Sequence, residues 1–156
     1  MSYSSRPGPV EVELLYLNLD SCDRCQGADR NLDSALEAVS RVLSEAGHQV
    51  TVRKTHVTTQ EEAAALGFVS SPTIRVNGRD IAVAVEESTC GACSSLAGTE
   101  VGCRTWGWQE QSHTSPPVGM IIDAILSSVY GPDTDTGAVP APAGTGSVER
   151  FLAATR

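Results

Sequence analysis

The sequence predicts an α/β domain built on a four-stranded mixed central sheet with flanking helices. Two patterns carry that expectation. A strand-like apolar run, a segment of helical periodicity and an alternating run follow one another over residues 10–54, an order that implies a right-handed crossover between two parallel strands. Further on, Asn77-Gly78 separates two short alternating runs, the strongest local sign of a two-residue hairpin and hence of antiparallel pairing.

Taken in order, residues 1–9, rich in Ser, Pro and Gly, read as a flexible tail. Val10 to Leu19 begins with alternation and turns nearly continuous apolar, as a strand buried on both faces does. A long amphipathic segment begins near Asp29; Leu32, Ala35, Leu36, Val39, Val42, Leu43 and Ala46 fall on one helical face, with Gly47 as the C-terminal cap. Residues 48–54 alternate with period two and give the second strand. A capping box, either Thr58 with Glu61 or Thr59 with Glu62, opens a short helix over 61–66 that Gly67 ends. Thr73-Ile74-Arg75-Val76 forms the third strand, and Ile81, Val83 and Val85 alternate on the return strand. Ser115 is placed to cap the last core helix, with Pro116 and Pro117 in its first turn and Ile122, Ile125, Leu126 and Val129 on one face. Residues 131–156 have the composition of a Pro/Gly/Ala-rich linker ending in a short segment, where Val148, Phe151 and Leu152 suit a helix that docks or frays.

Residues 86–116 break this regularity with three cysteines, both tryptophans and no clear period. They form a Cys/Trp-rich insertion before the last core helix, and a loop of that length inside a compact domain needs something to tie it down. The chain has 156 residues and a formal charge of −8 with no basic stripe, which excludes nucleic acid as a partner. No stretch approaches the ~20 apolar residues of a membrane span, and the first residues lack the pattern of a secretory signal. A cytoplasmic, reducing location follows as the expectation, and there an odd set of five cysteines points to reactive or metal-binding thiols, not a disulfide framework.

Cys22-Asp23-Arg24-Cys25 lies at a strand-to-helix junction, where backbone N–H groups and the helix dipole favour thiolate. As a redox pair, Cys22 is the more exposed nucleophile and Cys25 the resolving thiol; packed as small hydrophobes, both are inert. Arg24 favours the thiolate and Asp23 opposes it. Cys90-Gly91-Ala92-Cys93 with Cys103 reads either as three ligands of a zinc site, the fourth drawn from Cys22, Cys25, His113 or water, or as redox partners of the first pair. Trp106 and Trp108 form an apolar wall for a substrate or the insertion's own small core. His48 and His56 read as solvated or packed histidines, and Glu86-Glu87 as solvation.

The order of elements, with Cys22 and Cys25 at the first strand-to-helix turn and Ser71-Pro72-Thr73-Ile74-Arg75-Val76-Asn77-Gly78 further on, resembles the thioredoxin fold over residues 10–130. Cys-Asp-Arg-Cys and the later Cys103-Arg104-x-Trp106 are similar to a group of small bacterial thioredoxin-like proteins known only as a domain of unknown function. The resemblance implies a cis-proline at Pro72 facing the C-x-x-C, with Pro72 counted beside Cys22 and Cys25 as catalytic and Ser71 as substrate-binding. It also implies that the first strand and the return strand point the same way, which carries the insertion to the C-x-x-C edge and gathers the five cysteines.

The sequence therefore supports a thioredoxin-like thiol-disulfide oxidoreductase acting on a disulfide-bearing protein. A second reading is a thiolate site for zinc, copper(I), mercury or arsenic, which thiolates prefer. A remote third is organometal lyase-like chemistry, with Asp23 as the acid.

Overall fold

β1 (Val10–Tyr16) is the centre of the fold. Its parallel neighbour is β2 (Val50–His56), and on its other side β3 (Thr73–Val76) pairs antiparallel and is followed by the short β4 (Arg79–Asp80). The four-stranded mixed sheet thus runs β2-β1-β3-β4. The computed structural model describes residues 9–132 and 146–155. The expectations for the tail and most of the linker fall on residues 1–8 and 133–145, outside the described residues.

Five helices occur among the described residues. Helix α1 (Asp23–Glu45) starts earlier than its apolar repeat suggests, because Cys25, Gly27 and Ala28 continue the buried face upstream of Leu32. The C-x-x-C is therefore part of the helix, with Cys22 as its N-cap. α2 (Gln60–Leu66) uses the second of the two capping boxes: Thr59 Oγ1 accepts from the Glu62 N–H at 3.1 Å, and Glu62 Oε1 accepts from the Thr58 N–H at 3.0 Å. Gly67, at φ +62, ends it in the left-handed region that glycine enters without strain.

The return strand is a correction. The ladder on β3 ends at Asp80 with one last bond from the Ile81 N–H to the Ile74 carbonyl at 3.1 Å, residues 82–84 bend away, and Val83 is fully exposed. The cause is the Asp80 carboxylate: Oδ1 accepts from the Ala82 N–H at 2.9 Å while Oδ2 holds the distant Arg104 at 2.7 Å, so the chain turns off the sheet edge.

The insertion is not structureless. It forms β5 (Glu86–Thr89), α3 (Gly91–Ala97), β6 (Gly102–Trp108) and β7 (Gln111–His113), with the strands in a second, antiparallel sheet. Its hairpin turns at Gln109 and Glu110, at φ +51 and +64, residue types that give no turn signal in the sequence. Helix α4 (Val118–Tyr130) follows, with Pro117 and not Ser115 at the N-cap. The Asn31 side chain ties the approach to α1 by donating to the Pro116 carbonyl at 2.9 Å. The C-terminal α5 (Ser147–Ala154) docks against α2 and α3.

Two apolar cores result. Leu14, Ile74, Leu32, Ile121 and Ile125 fill the space between the central sheet, α1 and α4. Leu15, Leu17, Val57, Phe68, Val101 and Phe151 form the second, and all five cysteines lie in it. No helix among the described residues is long and apolar enough to cross a membrane.

The insertion and α4 meet at one close approach. A Cβ on Gly119 would stand 2.6 Å from the Trp108 ring, a rigid neighbour that can yield only by moving as a whole. Gly119→Ala is expected to displace the ring at about 1–3 kcal/mol of overpacking, partly offset by about 1 kcal/mol of helix propensity. Tryptophan emission and a thermal melt check this, and a variant unchanged in both would contradict the packing.

Candidate metal centre

The site lies beyond the end of β1, where α1, α3 and β6 converge. Cys22 and Cys90 are the N-cap residues of α1 and α3, so Cys25 and Cys93 stand at equivalent places in the two first turns. Cys103 comes from β6, opposite Ser88 of β5. The sulfurs of Cys22, Cys90, Cys93 and Cys103 all lie within 4.8 Å of one another. Individual contacts are 3.7 Å for Cys22–Cys90, 3.9 Å for Cys22–Cys103 and 3.4 Å for Cys103–Cys93. No disulfide joins any of the five.

Cys25 stands beside Cys22 but outside this group of four; its sulfur faces Ser71 Oγ at 3.5 Å. His113 is in β7 opposite Trp106 and also lies outside the four-thiol group. The fourth member beside Cys90, Cys93 and Cys103 is thus Cys22.

The expected exposure of Cys22 is overturned: Cys22 and Cys25 are both 0% exposed. The cover is the insertion, held down by Arg24. Its guanidinium donates to the carbonyls of Ser88 at 3.1 Å, Cys103 at 2.9 Å and Thr89 at 3.0 Å. Arg24 thus fastens β5 and β6 over α1. Asp23, the proposed acid of the lyase reading, is exposed on the first turn of α1.

The electrostatics single out one sulfur. The Cys103 thiol, then those of Cys25 and Cys93, donate toward Cys22 and hold it well below the ordinary thiol range. Their own thiols move the other way. Cys103 and Cys25 are pushed up, in each case first by the interaction with Cys22 and with burial adding to it. Cys93 feels a lowering contribution from Cys103, which Cys22 and burial outweigh, so it too is raised. Cys22 is thus the sulfur of the cluster most favoured as thiolate, through the neighbouring S–H groups of Cys103, Cys25 and Cys93.

The Ser71–Pro72 peptide is cis. Ser71 Oγ accepts from the Leu17 N–H at 3.2 Å, and the Ser71 carbonyl is taken by the Arg104 N–H at 2.8 Å, so the chain's own β6 occupies it. Trp106 is fully buried in the first core, whereas Trp108 lines an open cavity of about 340 Å3 with Ile81, Val83, Met120 and Asp123. His48 packs edge-on against Tyr130, and His56 Nε2 meets the Leu17 carbonyl at 2.9 Å.

Two residues matter more than their sequence context suggests. Arg104 is wholly buried: Nη1 binds Asp80 and Thr73 Oγ1, and the guanidinium lies 4.6 Å above the Trp106 ring centre. Glu87, read as solvation, accepts from Ser70 Oγ at 2.5 Å and from Ser147 Oγ at 3.1 Å, which ties α5 to the residues before Pro72. A glutamate pair in an aperiodic stretch gives no such signal.

A family pattern described as Domain of unknown function (DUF2703) matches residues 10–125. No curated protein and no solved structure matches the chain.

Proposed function

The chain belongs to the DUF2703 family of domains of unknown function, and we propose that it is a thiolate metal-binding protein whose ligands are Cys22, Cys90, Cys93 and Cys103. The observation that carries this reading is the mutual approach of four buried sulfurs. A tetrahedron with zinc–sulfur bonds of about 2.3 Å has sulfur–sulfur edges of about 3.8 Å. The contacts of 3.4, 3.7 and 3.9 Å scatter about that edge. Four thiolates suit zinc better than copper(I), mercury or arsenic, which take fewer sulfurs, and tetrahedral sulfur leaves iron as the competing ion.

Burial and charge support it. A closed, four-thiolate site is a structural or storage site, because catalytic zinc keeps a coordination position for water or substrate. Four thiolates around a dication carry net negative charge, and the Arg24 guanidinium bonded to the Cys103 carbonyl offsets part of it.

The β2-β1-β3-β4 order, the α1 N-terminus beside the cis Ser71–Pro72 peptide and the Asn77-Gly78 hairpin support a thioredoxin-like ancestry for residues 10–130. Disulfide exchange with a protein substrate ranks below metal binding. It requires in-line access to a sulfur, and Cys22 is sealed under β5, α3 and β6. Ser71, Trp106 and Trp108 accordingly serve the packing of the insertion in this reading. The lyase reading draws no support, since Asp23 faces solvent.

Elemental analysis beside a free-thiol count on anaerobically purified protein tests the proposal. The expected result is one zinc per chain, with five titratable thiols after denaturation with a chelator. Folded protein with no metal would sink it. Acid should release the ion: the ligands bind as thiolates, so zinc must expel the protons of Cys93 and Cys103, whose thiols are raised. Affinity therefore climbs with pH and falls as protons return, measurable by zinc titration at several pH values.

A further inference from the structure

The two C-x-x-C motifs occupy matching positions on α1 and α3 but are used differently. Cys90 and Cys93 both belong to the four-thiol group, whereas the α1 motif contributes Cys22 and leaves Cys25 over. Cys25 is fully buried and lies one helical turn from Cys22 on the same C-x-x-C, and its sulfur faces Ser71 Oγ at 3.5 Å. Cys22 can therefore be bound to a metal together with Cys90, Cys93 and Cys103, or joined to Cys25. It cannot do both.

We propose that Cys25 is an oxidation trigger for the metal centre: a hydroperoxide joins Cys22 to Cys25 in a disulfide and so releases the metal. This inference rests on the metal-binding reading above. It deepens that reading by assigning the site a regulator.

The chemistry balances with hydrogen peroxide as the oxidant. The Cys22 sulfur attacks one peroxide oxygen and the O–O bond breaks, giving Cys22–S–OH and a hydroxide that takes the Cys25 proton to become water. The Cys25 thiolate then attacks the Cys22 sulfur, the S–S bond forms and the S–O bond breaks, and the departing hydroxide takes a proton from solvent. Two sulfurs have each lost one electron, the peroxide has gained two, and two waters leave. The metal keeps three thiolates and its affinity collapses. Cys22 and Cys25 are 0% exposed, so any oxidant enters through local opening of the cover, and a peroxide little larger than water needs far less of it than a peptide disulfide does.

The test uses the zinc-loaded full chain, with Cys25→Ser and Cys25→Ala prepared alongside. All three proteins should bind one zinc. On exposure to hydrogen peroxide, the wild type should release zinc as a Cys22–Cys25 disulfide appears in peptide mapping, and a thiol reductant should restore binding. The variants should release zinc at least about ten-fold more slowly and without a reversible disulfide. Release from both variants at the wild-type rate, or a disulfide mapped to Cys90–Cys93, would overturn the inference while leaving the metal-binding reading intact. A wild type without metal would sink both.

Discussion

Cys103→Ser should abolish stoichiometric metal binding and make the melting temperature insensitive to a chelator. Apparent binding energies of structural zinc sites, about 10–16 kcal/mol, divided among four ligands give about 2.5–4 kcal/mol each, so losing one lowers affinity on the order of 100-fold or more. Serine nearly preserves the volume but offers an alcohol that stays protonated where a thiol would ionise, and this separates loss of a ligand from loss of packing. The wild type should melt lower once a strong chelator is added, because a ligand that binds only the folded state stabilises it by mass action. The variant should begin at or below that chelated value and remain there. Cys103 is also the residue through which Arg24 grips β6, at 2.9 Å through its backbone carbonyl, and the substitution leaves that bond in place. A Cys103→Ser protein that retains one zinc per chain and still responds to chelator would remove Cys103 from the ligand set.

How much of this was legible in the sequence depends on the range of the forces involved. The central sheet and helices were readable because local rules agree with tertiary demands there: alternation in β1, the apolar stripe from Leu32 to Leu43, Asn77-Gly78 at the hairpin, Thr59 and Glu62 at the cap. The return strand over 81–85 failed because a long-range partner overrides its alternation. Arg104, in sequence far from Asp80, draws that carboxylate down and turns the chain off the sheet. The convergence of the insertion on Cys22 was expected from a return strand over 81–85, but the return strand pairs only at Arg79–Asp80. Convergence is achieved instead by β5 pairing with β6 and by β6 bonding to the Ser71 carbonyl. The insertion had no readable period because α3 is seven residues long and β6 is buried on both faces, with Cys103 in the thiol-bearing core and Trp106 in the other. Which cysteine completes the four-thiol group was not decidable from spacing, since Cys22 and Cys25 are equivalent in the motif and differ only in the direction the α1 N-terminus gives them.

Arg104→Ala should cost about 3 kcal/mol or more, the lower end of the penalty for breaking a buried ion pair, with a fall in melting temperature of about 6–12 °C. The side chain of Arg104 is 1% exposed and that of Asp80 23%, so the stranded carboxylate is reached by water and the low end of that range applies. The larger share of the loss is the empty volume beneath Trp106, whose ring the guanidinium covers at 4.6 Å. Arg104 Nε and Nη2 and Trp106 Nε1 have no hydrogen-bond partner in this buried space, so the native arrangement already bears a desolvation cost that an apolar side chain would not. Arg104→Met combined with Asp80→Asn should therefore recover most of the stability, to within about 1 kcal/mol of the wild type, because methionine refills the space and its sulfur packs against the indole. The backbone bond from Arg104 to the Ser71 carbonyl survives both changes, so the double variant should still bind one metal ion. Chemical denaturation and metal analysis of the two variants read these effects separately. An Arg104→Ala protein as stable as the wild type would mean that the guanidinium contributes nothing to holding β6 against the central sheet, and that the thiol cluster alone keeps the insertion in place.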